Sequence, residues 1–307
     1  MNTQAQIARI RAILSEKGMS QRELAALLGK TEAEVSRWMS GRVGISQKNI
    51  ARISGALGED ISNTSAAKDP CERRNIGVIL AGGQSGRQET PFLLTPVDGR
   101  ALIAYTIELY QNHPGIDAIE LVCDRGQIET LQRLVRKYGF WKEQWICEGG
   151  VTYQGSVYNA IQNLEEEIGP DDLVLIHYGN APYTAEAIIS DAIRVAGESG
   201  NAISSTPCYQ LLGHNEGDGT SRSALDRDSI VQLACPQAFV YKYIKSMYDS
   251  ASEGNLLSKV EPHTTSLLYR MGQTLHLSYG NQSNIKITTP EDLELFEAFV
   301  RVRKEKK

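Results

Sequence analysis

Apolar positions recur with a helical period at the start of the chain. Ile7, Ile10 and Leu14 fall at i, i+3 and i+7 before Gly18, and Leu24, Leu27 and Leu28 form a second stripe before Gly29. Val35, Trp38 and Met39 stop at Gly41, and Ile50, Ile53 and Leu57 stop at Gly58. This spacing predicts four short amphipathic helices in an all-α bundle, each followed by a glycine that tolerates the left-handed backbone at a helix end. Ser20 stands at an N-cap position with Glu23 at the third position after it, a capping box that specifies the second helix start. Beyond residue 75 the pattern changes. IGVIL (76–80), IELVC (119–123), LVLIH (173–177) and AISST (202–206) are short β-rich runs bounded by Gly, Asp or Pro. The helical patterns ALIAYTIELYQN, IETLQRLVRKYG and AEAIISDAIRVAGESG fall between successive runs. That alternation predicts an α/β domain with a parallel sheet and helices on its faces. Residues 62–74 lack periodicity, contain Pro70 and read as a linker. The expected organisation is a helical domain over 1–61, a linker over 62–74 and an α/β domain over 75–307.

Composition narrows the class. With 307 residues, 41% apolar, 22% charged, 27 Gly, 10 Pro and 5 Cys, the chain is neither disordered, collagenous nor a disulfide scaffold. No run approaches 18 apolar residues and the start carries charge, so neither a membrane span nor a signal peptide is expected, and the chain is expected in the cytoplasm. Five cysteines without a CxxC pair fit reduced thiols and no structural metal. The net charge of −5 is uneven: residues 1–60 carry nine Lys/Arg against six acids, a balance of +3, which leaves −8 for the rest. A basic head on an acidic body implies that only the head meets a polyanion.

The segment MSQRELAALLGKTEAEVSRWMSG has the layout of a helix-turn-helix, whose second helix enters the DNA major groove. With IARISGALG closing it, the head resembles the phage-repressor (Xre/Cro) type over nearly all of residues 1–60. The resemblance implies that Gln21 and Lys30 touch phosphates or flank bases. It implies that Thr31, Ala33, Glu34, Ser36 and Arg37 face the groove, with Arg22 adding to the DNA-binding surface. Glu32 and Glu34 run against phosphate attraction, although a glutamate there can accept from cytosine N4. The alternative is a bundle kept for dimerisation or protein docking.

In the body, strand IGVIL leads into AGGQSGRQ (81–88), a glycine-rich loop of the kind whose backbone N–H groups wrap phosphates. It matches neither GxGxxG nor a Walker motif. EGGVTYQGSVYNAI (148–161), LVLIHYGNAPY (173–183), LDRDSIVQLACPQAFVY (225–241) and NIKITTPEDLELFEAF (284–299) follow. Their order and spacing resemble the 2-C-methylerythritol-4-phosphate and ribitol-5-phosphate cytidylyltransferases over essentially all of 75–307. The resemblance implies a Rossmann-like nucleotidyltransferase fold with a mostly parallel sheet, a homodimer built through an arm near 208–225, and a CTP site under the glycine loop. It assigns nucleotide contacts to Ala81, Gly82, Gly83, Gly86, Arg87, Gly150, Ser156 and Lys286. In such enzymes a substrate phosphate attacks the α-phosphorus of CTP, and cations with a carboxylate-held Mg²⁺ neutralise the developing charge.

The chain departs from that pattern at charged positions. The family's loop lysine is matched by Phe92, an arginine by Tyr153, the metal-binding aspartate by Tyr178 and a further arginine by Ala181. An acidic segment is matched by Pro262, His263 and Thr264. No intact catalytic set and no metal ligand remain, and of the main charged groups only Arg87 and Lys286 persist. His177 reads as a hydrogen-bonded core histidine, and Asp226 with Arg227 as a structural pair. The expectation is a DNA-binding regulator whose cytidylyltransferase-like domain is a pseudoenzyme that dimerises and senses a nucleotide or polyol phosphate. Two alternatives are a structural dimer with an empty pocket and an active cytidylyltransferase, and CTP and Mg²⁺ are required only in the active case.

Overall fold

The computed structural model describes residues 7, 10, 13–14, 17, 19–39, 45–59, 73–82 and 92–305. Contacts divide the chain into two units, Met1–Glu72 and Arg73–Lys307. The linker assigned to 62–74 lies outside the described residues except for its last two positions.

In the first unit Ile7, Ile10, Ile13 and Leu14 are helical and buried. Helices Gln21–Leu28, Glu32–Met39 and Gln47–Leu57 follow. The capping box forms: the Glu23 N–H donates to Ser20 Oγ at 3.2 Å and the Ser20 N–H donates to Glu23 Oε2 at 2.7 Å. Gly29 closes that helix at φ 58, a left-handed turn that costs a side-chain-bearing residue strain. One expected core position is wrong. Leu27 is 58% exposed, because Leu24, Ala25 and Leu28 share the buried face and put residue 27 outside it.

The second unit is built on eleven strands among the described residues. They are β1 (Asn75–Leu80), β2 (Pro96–Val97), β3 (Arg100–Ala101), β4 (Ala118–Cys123), β5 (Glu143–Glu148), β6 (Leu173–Tyr178), β7 (Asn201–Pro207), β8 (Leu212–Gly213), β9 (Ala224–Leu225), β10 (Val231–Val240) and β11 (Leu277–Tyr279). Seven of them form one sheet in the order β11-β7-β10-β6-β1-β4-β5. β1 lies parallel to β4 and β6, and β4 parallel to β5, as the alternation of strand and helix predicts. β10 breaks the pattern by pairing antiparallel with both β6 and β7. Its register shifts between Leu233 and Gln237, the stretch that holds Pro236, which has no N–H to give the ladder.

Helices cover both faces. Leu102–Asn112, Ile128–Tyr138 and Glu186–Ser199 bury Ile107, Leu134 and Ile189 in one core layer. Tyr153–Asn163, Tyr241–Glu253 and Thr264–Arg270 bury Val157, Ile244 and Leu267 in the other. The hairpin β8–β9 is exposed apart from half-buried Leu212. The expected Asp226–Arg227 pair is replaced: Asp226 Oδ1 accepts from the Asp228 N–H at 3.2 Å, and Arg227 Nε lies 3.9 Å from Asp228 Oδ1. Because β1, β4, β5 and β6 run parallel, their carboxyl ends share one edge, where ligands of open α/β sheets bind.

Candidate functional site

In the head, helices Gln21–Leu28 and Glu32–Met39 are joined by the turn Gly29–Thr31, the helix-turn-helix arrangement. Gln21, Arg22, Thr31, Ala33, Ser36 and Arg37 are exposed. Glu34 is engaged locally. Its carboxylate accepts from the Thr31 N–H at 2.9 Å and from Lys30 Nζ at 3.0 Å, while the Glu34 N–H donates to Thr31 Oγ1 at 3.3 Å. These bonds, the Thr31 N–H first, hold the Glu34 carboxyl down at about 2. The residue assigned to the groove is therefore the capping-box acid of its own helix, and it neutralises Lys30 beside it.

In the body, the backbone part of the site is built by close approach. At Gly82 a Cβ would lie 2.8 Å from the Asp124 backbone nitrogen, and at Gly150 it would lie 2.5 Å from the Gly155 carbonyl carbon. The Ala81 N–H donates to Val122 O at 2.7 Å, so it completes the sheet. Gly83, Gly86 and Arg87 lie outside the described residues. Ser156 is buried; its Oγ accepts from the Gly150 N–H at 3.1 Å and donates to Thr152 O at 3.1 Å. Its hydroxyl thus holds the 150–152 turn against helix Tyr153–Asn163.

The side-chain part is a set of hydroxyls and an imidazole that bond to one another. Tyr178 Oη lies 2.9 Å from His263 Nδ1, and Tyr153 Oη lies 3.1 Å from Thr264 Oγ1. The rings of Tyr153, Tyr178 and His263 stand 6.0 to 6.3 Å apart, centroid to centroid. Beneath them, Tyr248 Oη donates to Gln154 Oε1 at 2.7 Å, and Gln154 Nε2 donates to the carbonyls of Glu261 and His263 at 2.9 and 2.8 Å. Burial raises the phenol pKa of Tyr153, Tyr178 and Tyr248, so all three stay uncharged at neutral pH. Lys286 Nζ sits 4.5 Å over the Tyr178 ring.

Next to this cluster opens a cleft of about 590 Å³ bounded by Tyr178, Ala181, His263 and Lys286. Six carboxamides also line it: Gln210, Gln232, Gln237, Asn281, Gln282 and Asn284. Among the described residues Lys286 is its only Lys or Arg, and no Asp or Glu lines it. Phe92 is elsewhere, packed against the apolar cluster of Val97, Leu102, Ile287 and Phe296. His177 is buried, with Nε2 3.0 Å from Ala181 O, and burial lowers its pKa to about 4; it is a core histidine, as expected.

The family model for 2-C-methyl-D-erythritol 4-phosphate cytidylyltransferase matches residues 76–302. The chain belongs to this cytidylyltransferase family. A helix-turn-helix family model matches residues 7–62. The ribitol-5-phosphate cytidylyltransferase of Lacticaseibacillus paracasei is 34% identical over 226 residues, 73% of this chain and 97% of that protein. The 2-C-methyl-D-erythritol 4-phosphate cytidylyltransferase of Clostridium perfringens is 32% identical over 228 residues, 74% of this chain and 98% of that one. The crystal structure of the Francisella tularensis 2-C-methyl-D-erythritol 4-phosphate cytidylyltransferase superposes with a TM-score of 0.61 at 25% identity, covering 73% of this chain and 99% of that chain. No helix of the described residues is long and apolar enough to cross a membrane.

Against that family background the donor set of the cleft can be tested for a magnesium ion. Mg²⁺ is held through one or two carboxylates together with substrate phosphates. Six amides, one phenol, one imidazole and one lysine amine, with no carboxylate among the described lining residues, do not fit a resident Mg²⁺. The carboxamide lining was not anticipated from sequence. Only NQSN (281–284) beside Lys286 carried a local signal, whereas Gln210, Gln232 and Gln237 come from the arm and from β10. Gln154 and Tyr248 were missed for the same reason, since their bond spans 94 positions of sequence.

Proposed function

We propose that the chain is a cytoplasmic DNA-binding regulator whose α/β domain keeps the nucleotidyltransferase fold for dimerisation and ligand sensing, without turnover. The observation that carries this reading is the cluster of Tyr153, Tyr178, His263 and Thr264, whose members bond to one another where the resemblance implies charged groups. Losing one donor aimed at transition-state charge costs about 10²–10³ in rate, and several are replaced here. Binding needs less. Lys286 and the carboxamides leave a cleft able to hold a nucleotide or polyol phosphate without a resident metal. The head supplies double-stranded DNA binding through residues 1–61, led by exposed Arg22 and Arg37. Dimerisation is supported by the exposed apolar side chains of Tyr209, Leu211 and Leu225 on the arm. A pair of heads would read half-sites about 34 Å apart or a multiple of that spacing. A ligand regulates such a dimer by binding one arrangement of heads better than the other.

The test combines two assays on the full chain. With CTP, Mg²⁺ and ribitol 5-phosphate, no pyrophosphate is released at ordinary enzymatic rates; release at such rates overturns the reading. Duplex DNA binds at low salt, with an affinity that falls steeply as salt rises. No binding to any duplex at low salt removes the DNA-binding role and leaves the head as a docking module.

The second reading is an active CTP:polyol-phosphate cytidylyltransferase with an appended helix-turn-helix, using CTP and Mg²⁺ brought in with the triphosphate. It is favoured by the 34% identity to the ribitol-5-phosphate enzyme over 97% of that protein. The pyrophosphate assay separates the two.

A further inference from the structure

A second cavity, of about 460 Å³, opens between helix Leu102–Asn112, the β2–β3 turn and the C-terminal helix Pro290–Glu305. It shares no lining residue with the carboxamide cleft among the described residues. Its size falls within the range of small-molecule sites, about 300–1,000 Å³. Tyr105, Tyr183 and Phe296 give it aromatic walls, with Tyr105 and Phe296 edge to face at 5.3 Å between centroids.

The charges around it are matched except for one. Arg100 forks onto Glu108 with two hydrogen bonds of 3.1 Å and is flanked by the rings of Tyr105 and Tyr138 at 4.8 and 5.0 Å. Lys304 pairs with Asp98. Arg303 makes no ion pair among the described residues, and its guanidinium stacks over the Tyr183 ring at 4.4 Å. Stacking uses the face of a guanidinium and leaves its N–H donors free in the plane, the fork that binds a carboxylate bidentately. Asp98 and Glu108 on the same wall repel any second negative charge.

We propose that this cavity binds a planar aromatic carboxylate, whose ring lies against Tyr105 and Phe296 and whose single negative charge takes the Arg303 fork, which Tyr183, itself stacked on Phe299, holds in place. The site is independent of the carboxamide cleft and of whether the domain turns over. Calorimetric titration of the full chain with 2-naphthoate tests it. The expected result is saturable binding at one site per chain, at least tenfold weaker for the uncharged isostere 2-naphthamide. Arg303→Gln weakens 2-naphthoate at least tenfold with the melting temperature unchanged, since Arg303 is exposed. Lys286→Gln leaves 2-naphthoate affinity as it was, which keeps a failure here distinct from a failure of the sensing cleft. Absence of saturation, equal affinity for acid and amide, full affinity in Arg303→Gln, or loss of affinity in Lys286→Gln overturns the proposal.

Discussion

The two halves of the body's candidate site were built by different means. One half is backbone: Gly82 and Gly150 admit main chain at distances no Cβ tolerates, and Ser156 ties the turn between them and helix Tyr153–Asn163. The other half is side chain, a set of phenols, an imidazole and a hydroxyl that bond to each other beneath one lysine. Shape in the first half is set by excluded volume, so it survives any change of electrostatics. Charge in the second half is set by individual side chains and disappears with single substitutions. A fold can therefore keep its pocket while changing what the pocket can stabilise.

The largest expected effect lies in the frame of the backbone half. Burial pushes the Glu120 carboxyl on β4 up to about 8, and its Oε1 accepts from Asn163 Nδ2 at 2.8 Å. Because the folded pKa lies above the unfolded one, the native state holds the extra proton. Stability is then fully present below about 4.5 and falls as pH rises toward about 8. At about 1.4 kcal/mol per unit the ceiling of that loss is about 5 kcal/mol. Urea melts of wild type should show the decline between about pH 6.5 and 8, because below that range His177, lowered to about 4, adds the opposite slope; Glu120→Gln should flatten it, and a slope that persists in the variant assigns the effect elsewhere.

Next in size is Gly150→Ala. The added methyl meets backbone rather than a flexible side-chain tip, so overpacking of about 1–3 kcal/mol is expected in thermal melts. A neutral outcome would mean that the 150–155 turn yields and that the backbone half is softer than the comparison holds.

Smaller still is Tyr178→Phe, which removes the hydroxyl facing His263 Nδ1 and is expected to cost about 0.5–1.5 kcal/mol. Pyrophosphate assays on this variant are expected to read as for wild type, since the hydroxyl is structural in the proposed function. The smallest effect belongs to Lys286→Met. Its loss over the Tyr178 ring should shift stability by less than about 1 kcal/mol while abolishing binding of nucleotide or polyol phosphate. Unchanged ligand titrations would show the lysine to be a packing residue only.

Much of the fold was readable because its signals are local. The Ser20–Glu23 box, the left-handed Gly29 and the apolar runs of β1, β4, β6 and β7 each act within a few residues. β5 escaped notice because its residues are mostly half-buried or exposed at the edge of the sheet, so no apolar run marks it. β10 was hidden by Pro236 and its register shift. Leu27 shows the limit inside a helix, where periodicity names a stripe and packing chooses which member of it stays in water.

The site divided along the same line. Glycines and helix starts around it could be read from the chain, and so could the expectation that Tyr153, Tyr178 and His263 stand where the resemblance implies charged groups. That these side chains meet, with Tyr153 reaching Thr264 across 111 positions and Tyr178 reaching His263 across 85, came from the tertiary structure. By itself the amino-acid sequence determined the two kinds of domain and the helix starts, since propensity, capping and side-chain chemistry are properties of short segments. Only the tertiary structure decided that Tyr153, Tyr178, His263 and Thr264 bond to one another, that carboxamides line the cleft and that, among the described charged residues lining the second cavity, Arg303 makes no ion pair. Hydrogen bonds and ion pairs depend on distances that remote segments acquire only when the sheet and its helices close around a common core.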